Sequence, residues 1–122
     1  ASAIKSPKTK NQNLVIEGAG GLLVPLNGKE TILDLIKPDY KVIVVSRHYL
    51  GSINHTLLTI ETLKNRGIHC FGIIFNGEKN NATESIIEKM SKVPIIGRIE
   101  EEPYFDKNVI QEYAENFREK LI

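Results

Sequence analysis

Three short stretches of this 122-residue chain carry residue types at spacings that could do chemistry. In the first, Leu14-Val15-Ile16 runs into Glu17, and Gly18-Ala19-Gly20-Gly21 follows at once, ahead of Leu22-Leu23-Val24-Pro25-Leu26. A carboxylate at the end of an apolar run, beside three glycines in four residues, sets a hard oxygen donor next to unshielded backbone N–H groups. Glycine permits positive φ and lets the backbone approach an anionic or compact ligand. A carboxylate in that place suits a cation such as Mg²⁺, held jointly with substrate phosphates. The same residues equally suit a tight turn with a glutamate in a local network.

The second stretch, Leu50-Gly51-Ser52-Ile53-Asn54-His55-Thr56, opens a helix directly after an apolar run. Its free N–H groups and positive dipole end favour a carboxylate or phosphate. Every helix has such an end, so an ordinary capped start reads equally well. His55 in the first turn could polarise a ligand or serve as a structural histidine. In the third stretch, Ile73-Ile74-Phe75 ends in Asn76-Gly77. The Asn76 carboxamide both donates and accepts, the complement of an adenine edge, although Asn-Gly is also a common turn pair. Glu100-Glu101-Glu102 before Pro103 reads, taken alone, as a solvated acidic loop.

Several sharper motifs are excluded. A dinucleotide fingerprint counted from Gly18 needs glycine at position 23, where Leu23 stands. A phosphate loop ending at Gly28-Lys29 needs glycine at 23 and Ser or Thr at 30, but these are Leu23 and Glu30. No complete Walker A pattern occurs in the chain, nor a G-x-S-x-G elbow or an H-E-x-x-H pair. His48 and His69 have no ligand-spaced partners, so no zinc site is expected. No catalytic residue is assigned to this segment.

The elements that must position these stretches are legible from periodicity. Continuous β-branched runs at Leu14–Ile16, Val42–Val45, Phe71–Phe75 and Val93–Ile96 suit strands covered on both faces. Between them, Thr31 can cap a short helix through Ile36, ended by Pro38. Ser52 can cap a longer one to about Arg66, stopped by Gly67, with Ile53, Leu57, Ile60 and Leu63 or Lys64 inside. Asn81 or Thr83 can open a helix carrying Ile86, Ile87 and Met90. A last helix from about Asp106 carries Ile110, Tyr113, Ala114, Phe117 and Leu121 at helical spacing. Alternating strands and helices predict an α/β fold, an open, mainly parallel sheet with right-handed crossovers and flanking helices. Residues 1–13 read as a polar lead-in, and 14–122 as one unit.

Composition bounds the function classes. Sixteen Lys and Arg against fifteen Asp and Glu give a net charge of +1, which supplies no general attraction for nucleic acid or an anionic membrane. No apolar run approaches the roughly 20 residues a membrane helix needs. The single Cys70 cannot form an intrachain disulfide, which fits a reducing, cytoplasmic setting.

Taken together, Glu17 to Leu26, Leu50 to Thr59 and Gly72 to Asn76 resemble the C-terminal half of the dethiobiotin synthetases, in the same order and spacing. The resemblance covers Leu14 to the end. It implies a segment of a three-layer fold like that of the P-loop NTPases. It implies an ATP- and Mg²⁺-dependent cyclo-ligase that joins CO₂ to 7,8-diaminononanoate, giving dethiobiotin in biotin biosynthesis. By the resemblance, Glu17 ligates Mg²⁺ near the phosphates. Gly18, Ala19 and Gly20 line the nucleotide site, and Gly21 borders the diamine. Leu50, Gly51, Ser52, Ile53 and Asn54 match the helix start that takes the substrate carboxylate across a homodimer interface. Asn76 and Gly77 match the adenine-recognition position, and Glu100, Glu101 and Glu102 fall near a segment that also borders adenine. Members of the family are longer and begin with a phosphate-binding loop that has no counterpart here. The chain is therefore expected to be a fragment, inactive alone and prone to association through Leu14–Ile16. The competing readings are another phosphate-loop relative, such as a cobyrinate or cobyrate synthetase or a partition-type ATPase, and a non-catalytic α/β interaction module.

Overall fold

The structure, a computed structural model, describes residue 10 and residues 13–122, so the lead-in expected over 1–13 falls almost wholly outside the described residues. The chain divides into two compact units, Ala1–Tyr40 and Lys41–Ile122. In the second, β1 (Val42–Arg47), β2 (Cys70–Asn76) and β3 (Ile95–Ile99) form a parallel sheet in the order β1-β2-β3. The crossovers are α1 (Ser52–Asn65) and α2 (Asn81–Ser91), and α3 (Lys107–Leu121) follows β3. The expected α/β architecture with an open parallel sheet is thus present.

The middle strand carries the core. Ile73 and Phe75 are fully buried, with Ile60 and Leu63 of α1 and Ile87 of α2. Close packing also dictates where side chains must be missing. A Cβ on Gly72 would meet Ile96 at 2.5 Å, and one on Gly97 would meet the Phe117 ring at 2.3 Å.

The helices differ from the periodic reading in which face they bury. On α1 the buried residues are Ser52, Thr56, Ile60 and Leu63, whereas Ile53 is exposed. The reason is polar: the Ser46 and Thr56 hydroxyls, both buried, are hydrogen-bonded at 2.7 Å and fix the rotation of α1 on β1. On α2 only Ile87 and Ser91 are buried, and Met90 is exposed. On α3, Phe117 is buried while Ile110 is exposed, because this helix rests on the edge strand β3 and one ring fills that space.

The helix ends follow local chemistry. The Asn80 side chain accepts the Thr83 N–H, and the Asp106 side chain accepts the Val109 N–H. Gly51, rather than the expected Ser52, is the N-cap of α1, with φ of +95°, and Ser52 is the first helical residue. Only glycine takes that φ without strain.

In the first unit, Pro25 and Thr31 form an antiparallel bridge around a turn at Asn27, whose side-chain oxygen accepts the Lys29 and Glu30 N–H groups at 2.8 Å each. Gly28-Lys29 therefore sits at a hairpin tip, not in a phosphate loop. The short helix expected from Thr31 is a 3₁₀ helix, Ile32–Leu35, with the Asp34 carboxylate accepting the Thr31 N–H at 2.7 Å. The strand expected at Leu14–Ile16 does not form, and Val15 is 91% exposed. A strand exists only through hydrogen bonds to a neighbour, which a local apolar run does not specify.

Candidate functional site

The C-terminal ends of the three strands lie in register: Arg47 pairs with Asn76, and Asn76 with Ile99. Three of the singled-out stretches leave the sheet from this one edge. Leu50–Asn54 follows β1, Asn76–Gly77 closes β2, and Glu100–Glu102 follows β3. Ligands of open α/β sheets collect beyond this edge.

Leu50, Gly51, Ser52, Ile53 and Asn54 share one open concavity of about 580 Å³ with Tyr49, Leu57 and Thr83. Its floor is the first turn of α1, where the dipole is positive and the Ile53 and Asn54 N–H groups have no partner within the helix, while the Ser52 N–H donates to the Tyr49 carbonyl at 3.0 Å. Gly51 has nothing within 4 Å of where a Cβ would stand, so the approach to these N–H groups is open. The Tyr49 hydroxyl hydrogen-bonds His55 Nδ1, so His55 is occupied locally.

Asn76 is half-buried. Its carbonyl accepts the His48 N–H at 3.1 Å, and the Gly77 N–H donates to the Ile99 carbonyl at 2.9 Å. Its carboxamide has no hydrogen-bond partner among the described residues and is available to a ligand. Gly77 is buried with φ of +121°.

Glu100 and Glu102 line a smaller hollow of about 240 Å³ with Arg98, Glu112, Tyr113 and Asn116, and Glu101 is not among its residues. The Tyr113 hydroxyl donates to Glu102 at 2.7 Å and accepts the Glu100 N–H at 3.1 Å. The hydrogen bond to Glu102 raises the Tyr113 hydroxyl above the ordinary tyrosine range, and the nearby carboxylates add to this.

The sequence reading missed a cluster under the same edge. His48 stacks on Phe75 with ring centroids 5.4 Å apart, and its Nε2 lies 3.0 Å from Glu84. Arg98 reaches both Glu84 oxygens at 3.2 Å. Burial pushes the Glu84 carboxyl up, but the Asn80 N–H, His48 and Arg98 together outweigh it and hold it below the usual range. The one available signal was an asparagine cap with a glutamate four residues on. The partners His48 and Arg98 are 36 and 14 residues away from Glu84 and leave no local trace.

In the first unit, Glu17, Ala19 and Gly20 are exposed, as is Gly18, while Gly21 is half-buried. Gly20 and Gly21 have φ of +88° and +112°, so the loop needs glycine at both. A Cβ on Gly18 would meet Ile32 at 3.0 Å, which seats the loop against the 3₁₀ helix. Among the described residues no group of three or more His, Cys, Asp or Glu could hold a metal. A lone accessible carboxylate such as Glu17 fits Mg²⁺, whose remaining ligands are commonly phosphates and water.

Comparisons with known proteins agree with the motif reading. Residues 1–109 match the family described as AAA domain. The chain is 64% identical over 97% of its length to the ATP-dependent dethiobiotin synthetase BioD of Christiangramia forsetii. It is 47% identical over 93% to that of Cytophaga hutchinsonii, and 43% identical over 88% to that of Nitrobacter hamburgensis. It spans about half the length of these curated relatives: 56%, 55% and 52%.

Proposed function

The chain belongs to the AAA domain family, and from that premise we propose that it supplies part of an ATP- and Mg²⁺-dependent dethiobiotin synthetase. The reaction joins CO₂ to 7,8-diaminononanoate as a carbamate on one amine. ATP phosphorylates the carbamate, and the second amine closes the urea ring and expels phosphate. The observation that carries this reading is the register of Arg47, Asn76 and Ile99, which brings Leu50–Asn54, Asn76–Gly77 and Glu100–Glu102 to one sheet edge.

Each group then has a physical role. The Ile53 and Asn54 N–H groups and the exposed Asn54 carboxamide take the substrate carboxylate at the start of α1, beside Ser52, whose own N–H already donates to the Tyr49 carbonyl at 3.0 Å. Holding the diamine by that remote end orients its amines, and such positioning accounts for much of the rate in phosphoryl-transfer chemistry. The Asn76 carboxamide pairs with the adenine edge, Gly77 allows the base to approach, and Glu100 to Glu102 border it. Glu17 would hold Mg²⁺, which would neutralise charge on the transferring phosphoryl group, and Gly18 to Gly21 would contact the nucleotide and the diamine.

Leu50 is fully exposed, and Tyr49 and Ile53 beside it are also exposed. This apolar rim supports a homodimer with the carboxylate site at the interface. Among the described residues no helix is long and apolar enough to cross a membrane, and a cytoplasmic location is part of the same reading.

The test is ATP-dependent conversion of 7,8-diaminononanoate to dethiobiotin by the full-length protein, with Asn54→Ala alongside. The variant is expected to raise the diamine KM at least about tenfold, the scale of a lost charge-assisted contact. The 122-residue chain alone, having no Walker A pattern, is expected to make no dethiobiotin. An inactive full-length protein overturns the proposal, and so does an active isolated chain.

A further inference from the structure

The cluster beneath the sheet edge is built around one carboxylate. Glu84 Oε2 accepts from His48 Nε2 at 3.0 Å, from the Asn80 N–H at 3.0 Å and from Arg98 at 3.2 Å, while Oε1 accepts from the same Arg98 nitrogen at 3.2 Å. A carboxylate can only accept, so each of these contacts is a donor aimed at one point. The three donors come from three places: the residue after β1, the loop between β2 and α2, and β3. The Glu84 side chain is 18% exposed, and those of His48 and Arg98 are 12% and 21% exposed. Contacts of this kind are screened far less than surface ion pairs.

The Asn76–Asn80 turn lies between these anchors. The His48 whose ring meets Glu84 also donates its backbone N–H to the Asn76 carbonyl. The His48 side chain is also what a Cβ on Gly77 would meet, at 3.7 Å. The far end of the turn is held by the Asn80 N–H on Glu84 itself. Both ends of the turn that presents the Asn76 carboxamide are therefore tied to the same carboxylate, and Arg98 ties that carboxylate to β3.

We infer that Glu84 is a positioning residue for nucleobase recognition, clamping the Asn76–Asn80 turn through His48, Asn80 and Arg98 so that the Asn76 carboxamide meets a purine edge pre-oriented. The inference rests on the proposed role of Asn76 and adds to it a residue that touches no ligand. A preorganised turn binds without first being ordered, so its loss is read in affinity.

Steady-state kinetics of the full-length enzyme separate the possibilities. Glu84→Gln is expected to raise the KM for ATP about tenfold while kcat and the diamine KM stay within about twofold. Arg98→Lys keeps the charge but, being shorter and lacking the planar guanidinium, draws it back from Glu84, and is expected to raise the KM for ATP about threefold. In an Asn76→Ala background, Glu84→Gln is expected to add nothing, because it acts through that side chain. Should Asn76→Ala raise the KM for ATP while both Glu84→Gln and Arg98→Lys leave it unchanged, the clamp is refuted and the base contact stands. Equal changes in kcat and both KM values in the two clamp variants also refute it, since a general loss of structure does that. An unchanged KM for ATP in Asn76→Ala removes the base contact itself, and the clamp with it.

Discussion

Glu84 also makes a thermodynamic commitment that can be read without any substrate. Its carboxyl is held below the ordinary range in the folded chain, while in the unfolded chain it titrates near about 4.3. A depressed folded pKa means that the stabilisation is complete above the unfolded value and disappears as pH falls through the folded one. Wild type is therefore expected to exceed Glu84→Gln in stability at pH 7 by about 1–3 kcal/mol, the scale of hydrogen bonds to a charged group. The gap should narrow as pH falls below about 4.3. Urea midpoints of both proteins at pH 7 and at successively lower pH check this, and a gap that does not change with pH contradicts the assignment. By contrast, Cys70 has no such role: burial pushes its thiol up, so it stays protonated and packs as a small apolar residue.

At the scale of elements, glycine does two unrelated jobs, and one substitution distinguishes them. Gly97 on β3 faces Phe117 of α3, and a Cβ there would stand 2.3 Å from the ring. Gly97→Ala is expected to destabilise by about 1–3 kcal/mol through overpacking, with recovery when Phe117→Leu is added. Gly51 has open space around it but a φ of +95°. Gly51→Ala is expected to cost about 1 kcal/mol or more through backbone strain, which no neighbouring substitution relieves. Thermal unfolding of the two singles and the Gly97→Ala/Phe117→Leu pair tests the distinction. A Gly97→Ala protein as stable as wild type would show that α3 can slide on β3 at no cost.

For the whole molecule, the surface around the start of α1 carries the assembly prediction. Leu50 is more exposed than any other large hydrophobic residue described, and it borders the concavity assigned to the substrate carboxylate. A contiguous apolar rim beside polar N–H groups is the usual composition of a contact between copies of a chain. Leu50→Glu in the full-length protein is expected to shift sedimentation from dimer to monomer and to raise the diamine KM together. A monomeric wild type, or a Leu50→Glu dimer with unchanged KM, removes the shared-site arrangement.

Much of this protein was determined locally. Apolar runs and Gly, Asn and Asp punctuation specify β1, β2, α1, α2 and α3 to within a few residues, because strand and helix periods and caps are short-range physics. The three motif stretches were legible for the same reason, since each spans only a few contiguous residues. Tertiary structure alone decided the rest. The face that α1 buries depends on a hydroxyl pair ten residues apart, Ser46 and Thr56. The fate of Leu14–Ile16 depends on pairing with a neighbour. The Glu84 clamp joins His48, Asn80 and Arg98, whose convergence requires two parallel crossovers to have closed. Contacts between distant residues are set by how the layers pack, and nothing in the neighbouring sequence encodes them.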